Sequence, residues 1–276
     1  MSEFRNFNGS HLTIEQLKKI CPAAFASNPK NSVSDKYSFI STEKILNILS
    51  QNNFLPYSAY QSSARSEEKA LTTKHLIKFR SASDKTFYPL LGGLIPEIIL
   101  STSHDGLSSF RFSGGIFRLV CTNGLVVADG SCSNYNIRHM GASEEEIIDA
   151  VFEVLSSTTN AVTKTYEMKQ IELNQSQKFK FAEEAFQLRW DIKDAPDFSP
   201  LRLLEPKRSS DRSNDLFTIF NAAQEKLIRG GIRYYSKNLN GDLERNRTRA
   251  INSIDANLKI NKGLWSLAEK YLEGKY

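Results

Sequence analysis

Long apolar runs are what this chain most plainly lacks. No stretch of about 18 apolar residues occurs in its 276 positions, which excludes a membrane-spanning helix. The opening MSEFRNFNGSHLTIEQLKK has no basic region followed by an apolar core, so a secretory signal is not expected there. Cysteine is scarce. Cys21, Cys121 and Cys132 form no CxxC pair, and their odd number argues against a disulfide framework and for reduced thiols in a cytoplasm. The four histidines (His11, His75, His104, His139) show neither HxxxH nor HxH spacing, and His104-Asp105 before Gly106 suits a turn; no metal site is expected. Gly114-Gly115 and Gly230-Gly231 follow no GxGxxG or GK[ST] pattern, so they read as a hairpin turn and a helix cap. No cofactor is expected.

What the chain has is basic charge, unevenly placed. Between Arg202 and Arg249 stand eleven Lys/Arg and six Asp/Glu, a surplus that equals the whole chain's net charge of +5. A local basic excess suits an anionic partner such as nucleic acid, and suits equally a solvated basic surface.

Residues 1–36 read as an N-terminal arm with one short helix, Ile14–Ile20, capped by Thr13 and ended by Pro22. Residues 37–195 read as an α+β core. Ser41 or Thr42 caps a helix over Glu43–Gln51 with Ile45, Leu46 and Leu49 inward. Strands are expected at Phe54–Tyr60, His75–Arg80, Ile95–Thr102, Ser108–Phe112, Ile116–Cys121, Leu125–Ala128 and Tyr135–His139. Asp105-Gly106, Asn123-Gly124 and Asp129-Gly130 suit tight antiparallel connections, and no long helix intervenes between Ser101 and Met140. From Ser143 the period becomes helical, with Ile147, Val151, Leu155, Val162 and Tyr166 in step, and a second helix is expected at about Gln177–Trp190. The expected fold is α+β: an antiparallel sheet in the N-terminal half, with helices of the C-terminal half packed on one face.

Pro196, Pro200 and Pro206 mark 196–213 as a linker loop. Residues 214–276 read as a helical C-terminal unit. Its first helix turns Leu216, Phe220, Ala223 and Leu227 inward, Ile232–Asn240 is strand or loop, and helices are expected at Thr248–Leu258 and Gly263–Leu272.

Two groups of cations are candidates for phosphate contacts. Alternation puts Lys78 and Arg80 on one face of their strand, and Arg111, Arg118 and Arg138 lie on neighbouring strands. A row of cationic donors suits a phosphate backbone, although the solvated side of an antiparallel sheet has the same pattern. The second group is Arg245, Arg247 and Arg249 with Lys226, Arg229 and Arg233; arginine's planar fork pairs well with phosphate oxygens, and a basic loop has the same composition. Cys121, Asn123 and His139 have the residue types of a thiol hydrolase, but Cys121 sits in the apolar run Arg-Leu-Val-Cys, where a thiol is buried and inert.

Ile116-Phe-Arg-Leu-Val-Cys-Thr-Asn-Gly124 and Asn136-Ile-Arg-His139 resemble the core motif of the phage/plasmid domain-of-unknown-function family 932. Asn214–Gly231 and Thr248–Trp265 resemble the second half of its prophage branch, so the likeness runs from about residue 37 to residue 272. The resemblance implies carriage on prophages and conjugative plasmids. By fold-level analogy alone it points to single-strand-annealing recombinases and their ring assemblies. The resulting expectation is a non-enzymatic, cytoplasmic nucleic-acid-binding protein that forms homo-oligomers and binds or anneals single-stranded DNA. The alternative is an interaction protein that inhibits a host defence or repair factor, and an enzyme built on Cys121 and His139 is the least favoured.

Overall fold

The computed structural model describes residues 4–5, 10–30, 33, 39–82, 94–118, 124–126, 135–137, 144–191, 195–238 and 240–275. Thr13 caps α1 (Ile14–Ile20) through a capping box with Gln16, and Ser41 caps α2 (Thr42–Gln51) by accepting from the Lys44 N–H. After β1 (Phe4–Arg5), strands β2 (Phe54–Gln61), β3 (His75–Ser81), β4 (Leu94–Thr102) and β5 (Phe110–Arg118) make an antiparallel meander, with the one-turn helix α3 (Glu67–Ala70) between β2 and β3. Short strands extend it: β1 on β2, and both β6 (Gly124–Val126) and β7 (Tyr135–Ile137) on β5. The fold is α+β, with the antiparallel sheet in the N-terminal half and helices in the C-terminal half.

Gly114-Gly115 is not a turn; it lies inside β5, opposite Ile98 and Glu97 of β4, so the two strands expected at Ser108–Phe112 and Ile116–Cys121 are one. Paired glycines suit a turn, but they also suit a strand interior that leaves room beside a bulky neighbour. Gly115 leaves that room opposite Glu97.

The chain divides into two compact units at Val162/Thr163, a point inside α4 (Glu144–Lys169). In the first unit, Ala59, Ile77, Phe79, Ile98, Leu100, Phe110 and Phe112 form one face of the sheet. They meet Leu17 of α1, Ile45, Leu46 and Leu49 of α2, and Ile147, Ala150, Val151 and Val154 of α4. Each fully buried large side chain contributes about 1.5–3 kcal/mol by leaving water.

The second unit packs α5 (Gln175–Gln187), α6 (Leu216–Arg229) and α7 (Ile254–Leu272). Phe181 meets Tyr271 edge-on at 5.2 Å, and Phe220 meets Trp265 at 6.0 Å. Every residue of α6 from Leu216 to Glu225 is buried, and Gln224 spends its amide on Asn261 at 2.8 Å. The two helices expected at Thr248–Leu258 and Gly263–Leu272 are in fact the single α7, which begins at a Ser253 cap. Gly263 does not break it. A Cβ there would come within 2.7 Å of the Leu188 Cδ2, so the glycine serves close packing. The segment expected as a linker carries 3-10 turns at Pro200–Leu203 and Ser209–Asp211, and Arg208 fastens it to α6 through a two-pronged pair with Glu225 at 2.9 and 3.1 Å.

Candidate nucleic-acid interface

The basic surplus near the C-terminus folds into an antiparallel hairpin, β8 (Arg233–Lys237) with β9 (Leu243–Arg247). Its base is clamped to the end of α6. Gly230 caps that helix at φ 65°, and a Cβ there would lie 2.5 Å from the carbonyl oxygens of both Thr248 and Arg249. The Gly231 N–H donates to the Thr248 carbonyl (2.8 Å), the Thr248 N–H to Ile232 (2.9 Å) and the Ile251 N–H to Ile228 (2.8 Å). Arg189 donates its guanidinium to the carbonyls of Leu227 and Arg249. At the tip, the Asn238 side-chain oxygen accepts from the N–H groups of Asn240 and Asp242, both at 2.9 Å, and Gly241 takes φ 88°.

Register decides what the hairpin shows. Arg233 opposes Arg247, Tyr235 opposes Arg245 and Lys237 opposes Leu243, so these six side chains share one face, and all are exposed. That face holds four cations and no acid, and among the described residues none of the four pairs with a carboxylate. Two arginines directly opposite repel one another, which costs stability unless an anion lies between them. The other face carries Tyr234, Ser236, Glu244 and Asn246; Asn246 donates to the Ser236 hydroxyl at 2.7 Å, and Tyr234 lies 6.4 Å from the Phe198 ring. A groove of about 720 Å³ runs beside the strands, with Arg189, Trp190, Asp197, Tyr234, Asn246 and Arg247 among its walls, so that it holds one carboxylate among its cations. Trp190 is held by Phe186 and Phe198 at 4.8 and 5.6 Å, with Arg189 over its ring at 4.7 Å.

Of the cations singled out from sequence, Arg233, Arg245 and Arg247 thus come together, and exposed Arg249 lies two residues beyond the end of β9, after the buried Thr248. Lys226 and Arg229 belong elsewhere. Arg229 pairs with Glu225 at 3.6 Å, beside Lys207 and Arg208, and burial lowers the Lys226 pKa. On the sheet, Lys78 and Arg80 do share a face, but they turn to Glu97, which is 1% exposed: Arg80 approaches it at 2.7 Å and Lys78 at 3.8 Å. Arg80 also lies over the Tyr57 ring at 4.7 Å. Arg111 is exposed and donates to the Ser109 hydroxyl. Arg118, expected on a strand neighbouring that of Arg111, ends the same strand, β5, because the two expected strands are continuous through Gly114-Gly115, and Arg138 lies outside the described residues. Sequence reasoning passed over Glu97, although a lone acid within Leu-Ile-Pro-Glu-Ile-Ile-Leu signals a buried ion pair. It also passed over Tyr235, Lys237 and Leu243.

Cys121, Asn123, Cys132 and His139 lie outside the described residues. The described free cysteine, Cys21, is fully buried, and desolvation pushes its pKa up to about 12. His75 and His104 meet at Thr42, whose hydroxyl lies 3.0 Å from the His75 Nε2 and 3.2 Å from the His104 Nε2. The His75 Nδ1 faces the Thr73 carbonyl at 3.1 Å. A carbonyl only accepts, which assigns the His75 proton to Nδ1 and makes Nε2 the acceptor from Thr42. Burial lowers the His75 pKa to about 4. Among the described residues no group of three or more His, Cys, Asp and Glu is arranged to hold a metal, and no helix is long and apolar enough to cross a membrane.

Fold and site together define an α+β chain with a helix-anchored basic hairpin. The sequence model of the family described as domain of unknown function (DUF932) matches residues 29–265, and the chain belongs to that family. It is 34% identical over 261 residues to the UPF0380 protein YafZ of Escherichia coli K12, and equally to the UPF0380 protein YfjQ of the same strain. Each match covers 95% of this chain and 92% of the relative. No solved structure matches.

Proposed function

We propose that the protein binds nucleic acid, single-stranded DNA foremost, along the outward face of β8–β9. The observation that carries this is the face's composition: Arg233, Lys237, Arg245 and Arg247 exposed together, without an acid, and with two arginines directly opposed. Phosphates spaced along a strand relieve that repulsion and accept the arginine forks. The binding is non-catalytic. It serves a mobile element, as the family resemblance implies, by protecting or annealing its DNA in the host cytoplasm, and self-association sets several hairpins along one strand.

The test is a salt-titrated binding measurement with labelled DNA on the parent and on the triple variant Arg233→Ala/Arg245→Ala/Arg247→Ala. The variant is expected to bind all sequences more weakly, with the salt slope reduced by about one unit for each phosphate it no longer neutralises. Stability should move by no more than about 0.5 kcal/mol per exposed site. Parent-like binding by the variant at both low and high salt rules the hairpin out. A parent that binds no DNA at any salt favours a host protein partner.

A further inference from the structure

The hairpin has two sides with different chemistry, and the same strands carry both. Its outward face presents cations, and the groove beside it draws on both faces: Tyr235, Lys237 and Arg247 from the cationic one, Tyr234 and Asn246 from the other, together with Trp190 and one exposed carboxylate, Asp197. Its volume of about 720 Å³ falls within the range of about 300–1,000 Å³ common to small-ligand sites. Tyr235, at the groove's border, is 60% exposed, an unusual cost for a large ring in a strand flanked by charge. Aromatic rings, polar edges and cations together fit a ligand that is planar, polar at its rim and anionic: a nucleotide whose base is unpaired. A base inside a duplex has both faces stacked and its edge paired, and cannot enter.

We infer that the groove takes an unpaired base of the strand whose phosphates lie on the hairpin face, with Tyr235 as the stacking platform at its mouth. This rests on the hairpin reading and adds to it a reason for single-strand selectivity. Phosphate contact alone grips any polyanion; stacking requires an exposed base and tolerates every base identity.

The experiment compares a labelled oligothymidine with an abasic strand of equal length, across a salt series, for the parent and for Tyr235→Leu. The base-bearing strand should bind the parent about tenfold more tightly, equivalent to about 1.4 kcal/mol. It alone should quench the emission of Trp190, while the fully buried Trp265 stays constant. Tyr235→Leu should shrink the preference toward unity and leave the salt slope of the abasic strand unchanged. Equal affinity of the parent for both strands, without differential quenching, overturns the inference; a retained salt slope on the abasic strand then shows that the hairpin reading survives it. Failure of both strands to bind overturns the two together.

Discussion

At the scale of single residues, burial decides chemistry more than residue type does. Cys21 is a thiol 0% exposed, with Sγ 3.7 Å from the Tyr60 carbonyl and a pKa pushed to about 12, so almost none of it is thiolate at neutral pH. A thiol reagent at pH 7.5, with the modified site located by mass spectrometry, should modify Cys21 at least about a thousandfold more slowly in the folded protein than in urea, because reaction waits on opening. Rapid native labelling of Cys21 would contradict the packing around α1. The same rule separates the arginines. Arg80 resembles Arg245 in sequence, yet one is committed to the buried Glu97 and the other stands in water. Removing the Glu97 partner would leave charge without compensation in the interior, whereas removing Arg245 costs the fold little.

At the scale of elements, the hairpin depends on one glycine. Gly230 holds φ 65° and approaches two carbonyl oxygens so closely that any Cβ would meet them at 2.5 Å. Gly230→Ala should destabilise the second unit by about 1–3 kcal/mol through backbone strain, with the clash against Thr248 and Arg249 adding to it. Because the Gly231–Thr248 and Ile228–Ile251 bonds lie beside it, the base of β8–β9 should loosen before α6 and α7 do. Hydrogen exchange read by amide checks this: faster exchange at Ile232 and Thr248 with protected helix amides is expected, and uniform loss of protection across α6 and α7 would refute it. Gly263 is the contrasting case, a glycine inside α7 that looks like a break in sequence but answers to Leu188.

At the scale of the whole molecule, the two units should respond to acid in different pH windows. His75, in the first unit, has a pKa of 6.5 unfolded and about 4 folded, so between those values the unfolded chain binds the proton and the folded one does not. Its stabilising contribution is complete above pH 6.5 and falls as pH drops toward 4, by about 3 kcal/mol in all. Glu225, in the second unit, is desolvated, which raises its pKa, but the hydrogen bonds and charges of Arg208 and Lys207 outweigh that and hold it below the ordinary 4.5. Its contribution is present above pH 4.5 and is lost only below. Both tryptophans, Trp190 and Trp265, lie in the second unit. Lowering the pH from 7 to 5 should therefore speed hydrogen exchange in β3, after correction for intrinsic rates, while tryptophan emission stays constant. His75→Gln should remove that sensitivity. Emission and β3 exchange changing together above pH 5 would refute the assignment.

Local and periodic information sits in the chain itself. The cap at Thr13, the helix start at Ser41 or Thr42, the Gly230 stop, the strands at His75 and Ile95 and the inward stripe Leu216, Phe220, Ala223 and Leu227 were all legible, because capping geometry and side-chain period are set by neighbours a few residues away. The concentration of basic charge between Arg202 and Arg249 was equally plain. What tertiary structure alone decided is which polar groups face water. β9, Leu-Glu-Arg-Asn-Arg, has no alternation of apolar and polar residues, so nothing local marked it as a strand; its shape comes from pairing with β8 and from the clamp on α6. Lys78 and Arg80 alternated as expected, but whether their face meets solvent or a carboxylate was settled by Glu97, nineteen and seventeen residues further on. Alternation assigns a residue to a face, and only the packing of distant elements determines whether that face is covered.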